Sequence, residues 1–244
     1  MKILMVGTGS IGAKERSACT LINDELLIDL GNGNVKTIKQ YGNDISKINT
    51  VFITHLHGDH YADIPFLIAD REILQYTGRL DTDLIIYGPE ALEEKTRCVC
   101  EAFFGKYEKK KKLTRTSFKK VEEGKTEKIN GYEITPYLVD HYDVKPAYGY
   151  VVKKDGKSVG FSGDSLYCDA IDEIIKNSDI SVLDMSSQKP TPSHMNMEDI
   201  IKLCNKYPEK KMIATHMHAE IRKPANDLKI PNLIIPNDGY VLEF

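Results

Sequence analysis

The chain has 244 residues, of which 41% are hydrophobic and 28% charged, and its formal net charge is −3. This composition is ordinary for a globular protein, gives no general attraction to nucleic acid or acidic membranes, and contains no apolar run long enough to span a bilayer. The short apolar N-terminus is unlike a signal peptide and the five irregularly spaced cysteines are unlike a disulfide framework, so we expect one cytoplasmic domain over residues 1–244.

The first predicted strand leads into a glycine-rich sequence, GTGSIG, from Gly7 to Gly12. A G-x-G-x-x-G run after a strand is typical of dinucleotide-binding sites, which makes a nucleotide-binding oxidoreductase one alternative function. Such a site needs a helix that begins near Gly9, whereas the next apolar runs, 18–22 and 25–29, predict a β-hairpin. Two adjacent strands leave no room for that helix, so the favoured interpretation is a tight glycine turn.

A short apolar run, which predicts a buried strand, is followed by the sequence HLHGDH, with three imidazoles and one carboxylate within six residues. His55 and His57 are two positions apart, so in an extended segment their side chains lie on one face and can bind one ion together. Gly58 permits a sharp turn, after which Asp59 and His60 can bind a second ion nearby. Imidazole and carboxylate groups suit zinc, manganese or iron, so this segment predicts a metal site.

Beyond this motif the chain alternates predicted helices and strands. Apolar residues at helical spacing predict helices at 66–76 and 91–104, the second with Leu92, Val99 and Phe103 facing the core. Apolar runs predict strands at 84–87, 133–139, 148–153, 159–162, 180–184 and 212–214.

The most biased segment is basic and runs from Lys106 to Lys112, with Lys109 to Lys112 consecutive. A basic arm that binds the phosphates of a nucleic acid is one interpretation of this run. A solvated helix end and loop is the favoured one, because charge runs usually face water and glutamates follow closely.

The histidine-rich motif resembles the HxHxDH signature of the metallo-β-lactamase superfamily. That family adds three ligands downstream, in the order His, Asp, His. His141, Asp164 and His216 occur in this order, each after an apolar run that predicts a strand, as expected for a site built from strand-end loops. The resemblance extends over nearly the whole chain and implies an α/β (α+β) fold, a four-layer αββα sandwich of two mixed β-sheets.

The same resemblance implies a site for two divalent metal ions. The first would be held by His55, His57 and His141, the second by Asp59, His60 and His216, with Asp164 as the bridge. Zinc is the favoured ion, with manganese or iron as alternatives, because these ligand types accept several metals. A water molecule between the ions is the expected nucleophile, and Asp59 is expected to act in catalysis as well as in binding.

Two further residues are expected to support the site. Asp29, in the sequence IDLG, resembles the superfamily aspartate that orients metal-binding histidines. His194, in the sequence PSHMN, resembles the HST-like element of the ribonuclease Z branch, in which a histidine stabilises transition-state charge or protonates the leaving group. A polar histidine at a helix start is the alternative interpretation of His194. His218 is expected to be a bystander, since His216 has the strand-end position.

These features predict a metal-dependent hydrolase that acts on phosphodiester bonds. Asp164 stands where zinc β-lactamases often have a cysteine, and a two-metal site suits in-line attack on phosphorus. A carbon-ester hydrolase of the same fold, acting on a lactone, a thioester or a β-lactam, is the alternative function.

The expected substrate is a small-molecule or nucleotide phosphodiester, and RNA is a further option. Ribonuclease Z holds transfer RNA with a long glycine- and proline-rich arm, which the short region 101–128 lacks. Transfer RNA is therefore disfavoured. No membrane partner is expected, and a homodimer is left open.

Overall fold

Two facing β-sheets of seven strands each form the centre of the protein, in a computed structural model that describes residues 1–105, 115–142 and 144–244. The first sheet contains β1 (Lys2–Gly7), β2 (Cys19–Ile22), β3 (Leu26–Ile28), β4 (Thr50–Phe52), β5 (Leu84–Gly88), β6 (Thr116–Lys120) and the last strand of the chain, Tyr240–Glu243. The second contains β7 (Glu127–Ile129), β8 (Tyr132–Val139), β9 (Ala147–Lys154), β10 (Lys157–Phe161), β11 (Ile180–Asp184), β12 (Lys211–Thr215) and β13 (Leu233–Ile234).

Helices cover the outer face of each sheet. They are α1 (Asn34–Gln40), α2 (Gly58–Tyr61), α3 (Ile64–Tyr76), α4 (Leu92–Phe104), α5 (Asp169–Lys176), α6 (Met197–Lys206) and α7 (Ala219–Asn226), with a 3-10 turn at Ile45–Lys47. None of the helices in the described ranges has the length and apolar character needed to cross a membrane.

The alternation of apolar side chains along the strands explains the layers. In β1, Leu4 and Val6 pack in the core under α1 and α3, whereas Ile3 and Met5 pack between the two sheets. A third core lies between the second sheet and helices α5, α6 and α7. Because successive strand residues point to opposite faces, each buried strand supplies two cores at once. The predicted αββα sandwich is confirmed.

Strand direction brings five connections to one edge of the sandwich. Strands β10, β11 and β12 are mutually parallel, and β8 runs the same way because β9 is antiparallel to both β8 and β10. Their carboxyl ends therefore share one edge. The segment after β4 meets this edge from the other sheet, since the backbone N–H of Tyr148, near the start of β9, donates to the carbonyl of Thr54 at 2.9 Å.

The glycine-rich sequence forms a closed loop and no helix between Gly7 and Ala18. The Gly9 N–H donates to the Arg16 carbonyl at 2.8 Å, and the Ala18 N–H donates to Gly9 at 3.0 Å. A Cβ on Gly9 would lie 2.8 Å from that of Ala13, so the loop can close this tightly only with glycine. The predicted hairpin of β2 and β3 is confirmed, and the strand–loop–helix unit of a dinucleotide site is not formed here.

Two other predictions concern the core-facing side of α4 and the lysine run. Phe103 was expected to face the core, which is wrong: it is 53% exposed and its ring packs against Phe66 of α3, with centroids 5.4 Å apart. Helical spacing identifies the face that a side chain takes but not how far the core extends beneath the helix. The lysine run, Lys106 to Lys112, lies outside the described residues.

Candidate metal centre

The shared edge of the sandwich collects the seven residues predicted as metal ligands. Residues 55–60 follow β4, His141 follows β8, Asp164 follows β10 and His216 follows β12. All seven are buried except His57, which is half-buried. The structure therefore brings together side chains that are up to 161 positions apart, from His55 to His216.

Three imidazole nitrogens and one carboxylate oxygen form the first donor group. His57 Nδ1 lies 3.1 Å from His55 Nε2 and 3.2 Å from His141 Nε2. Asp164 Oδ2 lies 3.7 Å from His55 Nε2. A tetrahedral zinc ion with bonds of about 2.0 Å holds its ligand atoms about 3.3 Å apart. The spacing of this group fits such an ion.

The second donor group shares the same carboxylate oxygen. Asp164 Oδ2 lies 3.2 Å from His60 Nε2 and 3.3 Å from His216 Nε2. Asp59 Oδ2 lies 3.4 Å from His216 Nε2 and 3.8 Å from His60 Nε2. Because Asp164 Oδ2 faces both groups, it occupies the position that a bridge between two ions requires.

A buried ring nitrogen without a hydrogen bond tests whether the donor set fits a metal ion. His60 Nε2 is fully buried, and its 3.2 Å contact with Asp164 Oδ2 lacks hydrogen-bond geometry, so this atom has no hydrogen bond within the described residues. Leaving a buried polar atom without a partner costs about 1–3 kcal/mol, so an atom in this position favours a ligand role. Asp59 and Asp164 add negative charge beside it, and a divalent cation would neutralise that charge. The donor set therefore fits a divalent metal.

In three of the histidines, the ring nitrogen that faces away from the cluster contacts a neighbouring polar group. His60 Nδ1 donates to Asp29 Oδ2 at 2.8 Å, and His141 Nδ1 donates to the Ser193 carbonyl at 3.0 Å. His55 Nδ1 lies 3.0 Å from the hydroxyl of Thr54, which itself donates to Asp29 at 2.9 Å. Such contacts fix the tautomer and the direction of each ring, so in each neutral ring the remaining nitrogen presents its lone pair to the cluster.

Replacing Asp29 by asparagine is expected to weaken metal binding by about 10- to 100-fold, the usual effect of removing an orienting carboxylate. Asparagine keeps the size of the side chain and tolerates the left-handed backbone of Asp29, whose φ is 58°. A chelator-competition titration measures the change. Asp24→Asn is the matched control, because Asp24 also has a positive φ, 64°, in a turn that pairs with Lys2. Equal affinities of Asp29→Asn and wild type would contradict this role.

The histidines of the two donor groups differ in their protonation. Burial lowers the pKa of His55 and of His57, so these rings are neutral. Burial opposes protonation of His60 and His216 as well, but the charge of Asp164 outweighs it, and the pKa of His216 rises to about 10. Burial disfavours the ionised form of Asp59, yet its hydrogen bond with His216 lowers the pKa to about 2. Without metal, protons on His60 and His216 balance the carboxylates.

Metal binding is therefore expected to release protons at neutral pH. His60 and His216 carry protons below their raised pKa values, and a metal can replace those protons only after they leave. The apparent affinity should fall as pH is lowered, because protonation competes with the metal. Calorimetric titrations with Zn²⁺ in two buffers of different ionisation enthalpy measure the proton count. A binding enthalpy that is the same in both buffers would contradict the expectation.

His194 lies against the cluster, outside the two donor groups described above, and forms a third set of possible ligands with Asp164, Asp184 and His216. Its ring centroid is 5.1 Å from that of His141 and 5.2 Å from that of His216. Its Nδ1–H donates to Asp184 Oδ2 at 2.9 Å. Burial opposes protonation of the ring, but this bond and the charge of Asp184 outweigh burial and raise the pKa of His194. A cationic imidazole beside the metal ligands can donate a proton.

The sequence interpretation found that the segment around Asp184 resembles the ribonuclease Z branch but assigned no role to this residue. It is fully buried at the end of β11, where its Oδ2 also accepts from the Ser165 N–H at 3.2 Å and its Oδ1 lies 3.6 Å from His216 Nδ1. One carboxylate thus faces both His194 and His216. An ionisable residue that ends a mainly apolar predicted strand was the available signal.

His218 has a different environment. Its Nδ1 lies 2.9 Å from the hydroxyl of Ser10 in the glycine-rich loop, and it is not part of any donor group found among the described residues. The Ser10 N–H donates to the Met217 carbonyl at 3.2 Å, and the Met217 N–H donates to Thr8 at 3.1 Å. His218 and its neighbour therefore attach the loop to the strand end that carries His216.

Comparison with known families agrees with this geometry. The model of the family described as "Beta-lactamase superfamily domain" matches residues 26–217, which include every candidate ligand. The chain belongs to this superfamily. Its fold and its histidine and aspartate clusters together indicate that it binds divalent metal.

Individual members of the superfamily resemble the whole chain. A ribonuclease Z of Saccharolobus solfataricus is 25% identical over 293 aligned positions, which cover 96% of each chain. The metallo-β-lactamase fold protein YhfI of Bacillus subtilis superposes with a TM-score of 0.79 at 20% identity, over 100% of this chain and 99% of that one. A diphosphatase of the PhnP family superposes with a TM-score of 0.79 at 19% identity, over 100% and 97%. At these identities the two structures show a shared fold.

Proposed function

We propose that this protein is a phosphodiesterase that uses two divalent metal ions, with zinc as the favoured pair. The observation that carries the proposal is the position of Asp164 Oδ2, which lies 3.7 Å from His55 Nε2 and 3.2 Å from His60 Nε2, one nitrogen from each donor group. Two metal ions so held would activate a water molecule and neutralise the charge that develops on an attacked phosphate.

The protein groups around the ions have separate tasks in this proposal. His55, His57 and His141 would hold the first ion, Asp59, His60 and His216 would hold the second, and Asp164 would contact both. His194 protonates the leaving oxygen, because its ring is held by Asp184, whose hydrogen bond and charge raise the pKa of His194 and favour the protonated ring. Asp59 holds a negative charge beside the second ion and keeps His216 in place through their 3.4 Å contact.

The names of related proteins support a phosphate ester as the substrate. The curated relative from Saccharolobus solfataricus is a ribonuclease Z, and one structural neighbour is a diphosphatase. We therefore propose a nucleotide or RNA phosphodiester for this chain. The single domain over residues 1–244 and the option of a homodimer remain predictions from the sequence.

A substrate panel on metal-analysed protein tests the proposal. Protein that contains about two metal ions per chain should hydrolyse bis-p-nitrophenyl phosphate and a dinucleotide, and chelation should abolish the turnover. A lactone and a β-lactam are assayed beside them. Turnover of only a carbon ester would replace the proposal by the alternative hydrolase, and a stoichiometry of one ion per chain would remove the bridging role of Asp164.

A further inference from the structure

A groove of about 600 Å³ opens between the glycine-rich loop and helix α7. Lys14 on the loop and Lys223 on the helix line its two sides, and we call it the basic groove. Ala219 contributes to its wall and is three residues after His216, so the wall comes within about 11 Å of the Cα of that candidate ligand. The hydrogen bonds between the loop and Met217 keep the two sides together. A bound substrate can therefore reach from the cluster into the groove.

The charged side chains that line the basic groove differ in whether they already have a polar partner. Arg222 is occupied, since it donates to Thr8 Oγ1 at 2.7 Å and lies 3.8 Å from Glu15. Lys14 and Lys223 are exposed and form no ion pair within the ranges that the structure describes. Asp227 is the remaining carboxylate in the lining. Within the described ranges, two lysines without an ion pair and one such carboxylate thus line the basic groove, so an anion is favoured there.

We propose that the basic groove binds a second phosphate group of the substrate, one joined through a nucleoside or sugar to the phosphodiester cleaved at the metal centre. This inference rests on the proposed phosphodiesterase function. The volume is within the range of about 300–1,000 Å³ typical of small-molecule sites, which is enough for a nucleotide. Lysine binds phosphate as a mobile point charge, so two exposed lysines can contact one phosphate from opposite sides.

Binding of two defined probes to the metal-loaded protein tests the inference without turnover. Adenosine 3′,5′-bisphosphate is expected to bind about tenfold more tightly than adenosine 5′-monophosphate, the usual gain from a charge-assisted contact. In the double variant Lys14→Gln/Lys223→Gln this ratio of affinities should fall to about one. Added salt should reduce the ratio in the wild type, because exposed charges are screened. Calorimetry measures all of these affinities.

Lys157→Gln is the matched control, since Lys157 is also exposed but lies at the amino end of β10, away from the edge that carries the cluster. It should leave the ratio as in the wild type. A ratio of about one in the wild type, or an unchanged ratio in the double variant, would overturn the basic groove as a phosphate site. Failure to hydrolyse any phosphodiester would instead refute the proposed function, because the binding ratio is measured independently of turnover.

Discussion

Replacing His57 by alanine is expected to remove the first metal ion and to slow turnover by about a thousandfold or more. His57 Nδ1 is within 3.2 Å of both other nitrogens of its donor group, so its loss leaves that ion with two histidines and a shared carboxylate. A metal that stabilises transition-state charge contributes about 4 kcal/mol or more, which corresponds to this factor. His57 is half-buried, so the protein should still fold. Metal analysis and initial rates on bis-p-nitrophenyl phosphate measure both effects.

His218→Ala is the control for metal content, because it makes the same change two residues from His216 but outside every donor group in the described ranges. It should retain the metal content of the wild type. If His57→Ala kept both ions and full activity, the assignment of the first donor group would be wrong.

Replacing His194 by alanine is expected to slow turnover by about two to four orders of magnitude, the usual contribution of a general acid, with metal content unchanged. The ring lies beside His141 and His216, and its Nδ1 donates to Asp184 at 2.9 Å and is 3.9 Å from Asp164 Oδ2, farther than the histidines assigned as ligands. Its removal takes away a proton donor but no ligand. Single-turnover rates and metal analysis on the same sample separate the two effects.

Two further measurements distinguish proton donation from structure. Imidazole added to His194→Ala should restore part of the rate, because a free imidazole can occupy the vacated space and carry the proton. Asp184→Asn should give a rate between those of the wild type and His194→Ala, since the amide oxygen still accepts the 2.9 Å bond but no longer stabilises the imidazolium. Full activity of His194→Ala would reduce this residue to a structural role.

Much of the fold could be predicted from the sequence. Apolar runs locate most strands because a strand buried on both faces needs mainly apolar side chains, as at Leu26–Ile28, where all three residues are apolar and buried. The polar residues that directly follow such runs, His141, Asp164 and His216, identify the strand-end loops in which a site can form. The glycine-rich loop could be distinguished from a dinucleotide site because the two apolar runs after it predict a hairpin, which the structure contains.

Other features could not be predicted because they depend on distance between elements. The last turn of α4 passes beyond the core, so Phe103 is exposed although its spacing is that of a buried residue. The sequence assigned Asp184 no partner, and only the fold brings it within 2.9 Å of His194 and 3.6 Å of His216. The basic groove likewise joins Lys14 and Lys223 from distant parts of the chain.

The sequence by itself determined the ligand types, their order and the strand ends that carry them, since these follow from local patterns of polarity. The tertiary structure decided that Asp164 Oδ2 lies between His60 and His216, at 3.2 and 3.3 Å, and which ring nitrogen of each histidine faces the cluster. The physical reason is that these distances are fixed by how two sheets pack and by bonds such as that of Asp29 to His60. Neither is encoded in the spacing of residues along the chain.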